Sequence, residues 1–192
     1  MTTPRGGEES SPRTVLWSLA GGSMLIPLNS TMLAVAIPSI MKEFKVEASS
    51  AALLVSAYLA AVAIVIPVSG SLGDRFGHRR MFLFGVTAFS LTSMLGAFAW
   101  TFPVLVGARI LQGVSGALIT PNSVSLVRVI APESRRGSTF GMFDMLTSVS
   151  VAAGPFVGGL FVSGLGWRSL FLVALPIGAL AIVTVRKQLA ES

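Results

Sequence analysis

The sequence predicts an all-α, polytopic membrane protein with six transmembrane helices. Three observations carry that reading. The 192-residue chain is 53% hydrophobic and only 11% charged, against roughly 25% charged for an ordinary soluble domain, so it lacks the polar surface that a water-soluble helical fold would need. Residues 51–73 and 81–102 hold no charged side chain, and they flank a short basic corner, Gly70-Ser71-Leu72-Gly73-Asp74-Arg75-Phe76-Gly77-His78-Arg79-Arg80. The net charge of +6 comes from Lys and Arg in short connections between apolar runs. That is the pattern of positive-inside topology, and no nucleic-acid partner is expected.

A helix rising ~1.5 Å per residue needs about 20 apolar residues to cross a ~30 Å hydrocarbon core. Residues 1–13 form a polar tail with Arg5 and Arg13, and the first crossing follows near 14–38. A signal peptide has an apolar core of about 7–15 residues. The apolar run 14–41 is longer than that, although Ala34-Val35-Ala36 imitates a cleavage site, so the segment reads as a retained helix. The second and third crossings lie near 50–72 and 80–100, on either side of the basic corner. The fourth lies near 103–128, the fifth near 138–163 and the sixth near 168–186, with residues 188–192 as a closing tail. The expected organisation is one transmembrane domain, residues 14–187, between two cytoplasmic tails, the second of them truncated.

Orientation follows from the basic residues. The tails, the corner and the fourth-to-fifth connection hold ten, among them Arg75, Arg79, Arg80, Arg128, Arg135 and Arg136. The opposite side holds three, Lys42, Lys45 and Arg168. Both termini are expected in the cytoplasm and the chain in the cell membrane, with the lipid bilayer as its first partner. Trp17, Trp100 and Trp167 fall near helix ends, where indoles favour the interface. Pro27, Pro67, Pro121, Pro155 and Pro176 lie inside expected helices; bundle neighbours re-satisfy the backbone there, and small residues such as Gly154 and Gly158 permit close helix approach.

Catalysis is not expected. The glycines at 70, 73 and 77 do not match Gly-x-Gly-x-x-Gly, and no phosphate-loop lysine follows them. There is no cysteine, the single histidine is His78, and no His/Cys/carboxylate cluster suits a metal. No catalytic residue, metal or cofactor is therefore assigned. What remains is polar residues inside apolar helices, which are costly and functional by default. Arg109 lies about 6 residues, ~9 Å, below the outer face, and Asp144 at a similar depth below the inner face. Asn29 falls near the level of Arg109, Gln112 follows one turn along the same helix, and Tyr58 is in the outer half. The expectation is a water-accessible cavity lined by Asn29, Tyr58, Arg109 and Gln112, weighed against Arg109 snorkelling to the outer interface. Asp144 reads either as a buried carrier or as the ragged start of the fifth helix.

At these residues the chain resembles the major facilitator superfamily, and within it the fourteen-helix drug:proton antiporters. Residues 70–80 are similar to the signature between helices 2 and 3, Arg109-Ile110-Leu111-Gln112-Gly113 to that of helix 4, and Gly154-Pro155-Phe156-Val157-Gly158-Gly159 to the antiporter signature of helix 5. Leu28-Asn29-Ser30-Thr31 and Trp167-Arg168 through Pro176 are similar to the same group's helix 1 and helix 6 regions. The resemblance implies proton-coupled efflux of small molecules by alternating access between two six-helix halves. It implies a cytoplasmic gate built on Gly70, Gly73, Asp74, Arg75, Gly77, Arg79 and Arg80. It also implies that Gly154, Pro155, Gly158 and Gly159 let helix 5 bend and pack against the opposite half. The family often carries an aspartate where Asn29 stands; Asn29 cannot titrate, and Asp144 is put forward as the substitute proton carrier. The partners implied are a small-molecule substrate, protons, and a missing C-terminal half or a second copy. A sugar or metabolite carrier of the same superfamily, a non-transporting membrane scaffold and a membrane enzyme are the weaker readings.

Overall fold

The computed structural model of the protein describes residues 12–188. The expected tails fall almost wholly outside the described residues, except that helix begins already at Pro12 and continues to Gln188. The described elements are α1 (Pro12–Phe44), α2 (Ala48–Ala51), α3 (Leu53–Phe76), α4 (His78–Ala97), α5 (Phe102–Ile130), a 3-10 turn (Glu133–Arg135), α6 (Arg136–Leu165), α7 (Ser169–Leu172) and α8 (Ala174–Gln188). Six stretches are long and apolar enough to cross a membrane: Thr14–Phe44, Ala48–Phe76, His78–Ala97, Phe102–Ile130, Glu133–Leu165 and Ser169–Lys187. No strand occurs among the described residues.

The six expected crossings are therefore present, with two adjustments. α1 was expected to stop near Pro38 but runs on to Phe44, so its last turn projects as a polar stub carrying Lys42 and Glu43. The second and sixth crossings each begin with a short helical piece, α2 and α7, joined by one residue to the main helix. The basic corner is tighter than a loop, since Gly77 alone separates α3 from α4. Its φ of 92° lies in the left-handed region, where only glycine avoids a steric penalty.

α5 is the hub of the bundle. It packs along α3 and α4, while α1 packs along α6 and α8 crosses both α1 and α4. Two apolar cores result. One gathers Leu19, Leu25, Phe82, Phe89, Ile119 and Phe143; the other gathers Met32, Ile40, Leu54, Leu105, Trp167 and Phe171. Large apolar side chains such as Ile64, Phe84, Phe156 and Leu180 stand exposed around the outside. In water this surface would drive association, whereas the hydrocarbon of a bilayer accommodates it.

Two expectations change here. Gly154 and Gly158 are buried against α1, inside this bundle: a Cβ on Gly154 would strike Thr31, and one on Gly158 would sit 3.0 Å from the Met32 Cα. Four residues apart, they share one helix face, and that face is taken by α1 and not by an opposite half. Pro155 is exposed, and Gly159 has nothing near its Cβ position. Trp167 is also not an interfacial anchor. It is 4% exposed, stacks among Phe44 and Phe171, and donates its indole N–H to Glu43 Oε2 at 2.7 Å. Arg168 completes a clasp: it pairs with Glu43 at 2.6 Å, donates to the Ala99 carbonyl at 3.1 Å and lies 4.4 Å above the Trp167 ring. One end of the bundle is thereby tied from α1 to the α4–α5 connection and the start of α7.

Candidate functional site

Between the two apolar cores lies a polar layer centred on Arg109. Its Nε donates to the Leu54 carbonyl at 3.1 Å. Its Nη1 donates to Asn29 Oδ1 at 2.6 Å and to Gln112 Oε1 at 2.7 Å. The guanidinium carbon lies 4.2 Å from the centre of the Tyr58 ring. Gln112 passes the chain on, donating from Nε2 to Ser93 Oγ at 2.7 Å. The node thus takes one group from α1, two from α3, one from α4 and two from α5.

The node is closed. Arg109 is 1% exposed, Gln112 0%, Tyr58 3% and Asn29 6%, so the arginine does not snorkel. Where a water-accessible cavity was expected, these four side chains are closed off from solvent among the described residues. The small void beside Asn29, between Leu25, Met32, Leu170 and Val173, is about 10 Å³, the threshold for a single water. The physical reason is that neutral acceptors on three helices reach the guanidinium. Each hydrogen bond to a charged group contributes about 1.5–3 kcal/mol, and a desolvated cation–π contact about 2 kcal/mol. None of the groups bonded to Arg109 is a carboxylate. The result is a fixed positive charge at the middle of the bundle, beside the buried Tyr58.

Asp144 is not brought to this node. It lies on an exposed face of α6, so it is neither buried in this bundle nor paired with Arg109.

The glycine-rich corner forms a second polar cluster at the other end of α5. Asp74 Oδ1 lies 3.2 Å from His78 Nε2, one turn on, and His78 Nδ1 lies 2.8 Å from Asn122 Oδ1. Asn122 spends its amide N–H on the Leu118 carbonyl at 2.7 Å and on Ser69 Oγ at 3.3 Å. That orientation leaves its oxygen to accept from His78 Nδ1–H, a tautomer assigned from this network, with Nε2 turned to Asp74. The partner of Asp74 is thus a basic side chain of the same corner. Gly73 is the contact that brings α3 in: a Cβ there would overlap both His78 and Asn122. Gly70 has no such neighbour. Arg75 stacks on Phe76 at 5.3 Å, Arg79 donates to the Arg186 carbonyl at 3.1 Å, and Arg80 is exposed.

Sequence reasoning did not single out Ser93, Asn122, Ser69 or the Ser23–Ser123 hydrogen bond of 2.9 Å. One signal was available. Arg109, Gln112, Ser115, Asn122 and Ser123 recur at helical spacing along α5 and are all buried, a polar stripe inside an otherwise apolar helix.

Six apolar helices around a buried cation, with a charged single-glycine corner between the second and third, define a polytopic membrane protein. Residues 19–189 match the model of the Major Facilitator Superfamily, and the chain belongs to that family. Among its relatives, the tetracenomycin C resistance and export protein of Streptomyces glaucescens is 36% identical over 94% of this chain and 34% of its own length. The multidrug efflux pump LfrA of Mycolicibacterium smegmatis is 37% identical over 92% of this chain and 36% of its own. The methylenomycin A resistance protein of Streptomyces coelicolor is 34% identical over 98% of this chain and 40% of its own. The chain thus spans about a third to two-fifths of the length of these relatives. In fold it superimposes on a crystal structure of the peptide transporter POT with a TM-score of 0.81 at 21% identity, covering 97% of this chain and 40% of that one.

Proposed function

We propose that this chain is the N-terminal half of a secondary active transporter that exports drugs or other small molecules, coupled to protons, by alternating access. The observation that carries the reading is the Arg109 node. A guanidinium held between apolar cores, with no carboxylate bonded to it, is costly to keep in a membrane, and charges kept there at such cost mark substrate and ion pathways. In this reading a second six-helix half, or a second copy, forms the opposite wall of a pathway near the bilayer midplane. Rocking of the two halves opens that pathway to each side in turn. Both termini lie in the cytoplasm, and the Asp74–His78–Asn122 cluster sits at the cytoplasmic mouth. The relatives named for export or resistance support efflux over uptake of a sugar or metabolite.

Asp144 is the proton carrier in this proposal. It is the one described carboxylate within an apolar span away from the helix ends, and its exposed position leaves it free to meet the other half. The test uses the complete two-half protein in proteoliposomes, with dye transport driven by an imposed pH gradient. Arg109→Ala is expected to reduce transport at least about tenfold, equal to about 1.4 kcal/mol of lost stabilisation. Asp144→Asn is expected to abolish the gradient-driven component while leaving downhill flux. Gradient-driven transport at the wild-type rate in Asp144→Asn removes Asp144 from the mechanism, and unchanged transport in Arg109→Ala removes the node from the pathway.

A further inference from the structure

At the basic end of the bundle a groove of about 600 Å³ opens between α4 and α8, lined by Arg79, Arg80, Leu83, Phe84, Thr87 and Arg186. Its upper rim is three guanidinium groups, two from the first turn of α4 and one from the last turn of α8. Its floor is a stripe of α4 at helical spacing. Leu83 is buried, Phe84 is exposed, and Thr87 turns its hydroxyl into its own helix, donating to the Leu83 carbonyl at 2.7 Å. What Thr87 offers the groove is therefore apolar. The groove is amphipathic along its length, cationic where the helices emerge and apolar toward the middle of the span.

We propose that this groove binds an anionic phospholipid, with the phosphodiester against Arg79, Arg80 and Arg186 and the acyl chain along Leu83, Phe84 and Thr87. Charge complementarity selects the occupant: a planar guanidinium presents paired donors to phosphate oxygens, and basic grooves between transmembrane helices at an interface suit acidic headgroups. The apolar floor selects a lipid over a soluble anion, because a free phosphate would leave that floor uncovered. The hydrogen bond from Arg79 to the Arg186 carbonyl already holds the two helix ends together, and a phosphate there would reinforce the joint. The joint lies two residues from Gly77, so an occupant steadies the α3–α4 corner. The inference needs only a headgroup layer at the arginine end of the bundle, and it stands independently of the transport reading above.

The experiment is native mass spectrometry of the purified chain titrated with phosphatidylglycerol or phosphatidylcholine, together with photocrosslinking from p-benzoylphenylalanine placed at Phe84. Expected are at least about tenfold preferential retention of phosphatidylglycerol and its capture at position 84. Each arginine–lipid contact is worth roughly fivefold, so R80Q/R186Q is expected to weaken retention about 25-fold, while R80K/R186K retains most of it. Wild-type selectivity is read without any variant, so a variant that misfolds by circular dichroism leaves the test intact. Equal retention of the two lipids overturns the proposal. So does displacement of the lipid by inorganic phosphate, or a crosslink at position 84 to a second protein copy.

Discussion

Arg109 stays in the membrane core because three acceptors and one aromatic face converge on it from three helices. A lysine carries the same charge but only one nitrogen, so it cannot reach the Leu54 carbonyl with one donor and Asn29 and Gln112 with another. Arg109→Lys is therefore expected to destabilise the bundle by about 2–4 kcal/mol, seen as a lowered thermal midpoint in detergent. A midpoint equal to wild type would mean that charge alone, without the guanidinium geometry, holds the layer. Gln112→Ala should cost less, about 1–3 kcal/mol, because Ser93 loses only one donor while Arg109 keeps its bonds to Asn29 and the Leu54 carbonyl. The residues of this layer were legible in the sequence as polar positions at matching depth in apolar runs. Its closure was not, since depth places Asn29 beside Arg109 without saying whether water or a side chain lies between them. Ser93 was invisible for another reason: membrane helices carry many serines that bond only their own backbone, as Ser90 does with Val86 here.

At the scale of elements, α5 and α6 illustrate two ways of packing helices without a hydrophobic driving force between them. α5 uses hydrogen bonds along its polar stripe, and α6 uses the close approach of Gly154 and Gly158 to α1. Gly158→Leu is expected to force α6 away from Met32 and cost about 1–3 kcal/mol, whereas Gly159→Leu, on an open face, should be near neutral. Thermal unfolding of the pair separates the two glycines, and equal losses would contradict the assignment of the α1 contact. The motif and its helix were readable from sequence, but its neighbour was not. Spacing of four fixes which residues share a face and says nothing about which helix lies opposite. The clasp at the other end was hidden similarly, because Glu43 and Arg168 are 125 positions apart in sequence and each alone reads as an ordinary interfacial charge. Their side chains are 41% exposed, so Glu43→Gln is expected to cost only about 1 kcal/mol, again read from the thermal midpoint.

For the whole molecule, the six-helix count followed from composition and charge distribution, because those depend on the bilayer and not on packing detail, whereas the family followed from the resemblance of three motifs in order. The exposed apolar surface divides between lipid and any second half, and composition cannot tell the two apart, since both demand the same residues.

The polar stripe of α5 also has a consequence for how the chain is made. Its contacts beyond α5 itself run to Ser23, Asn29, Leu54, Ser69, His78 and Ser93, and every one of these precedes α5 in the sequence. When the ribosome delivers this helix, the least apolar stretch of its course is met by acceptors and donors already synthesised. α5 can leave the insertion machinery by docking onto α1, α3 and α4, with nothing translated later required to shelter its arginine. The order of the helices along the chain is thus an order of assembly in which the helix carrying the buried arginine arrives after the partners of its polar stripe.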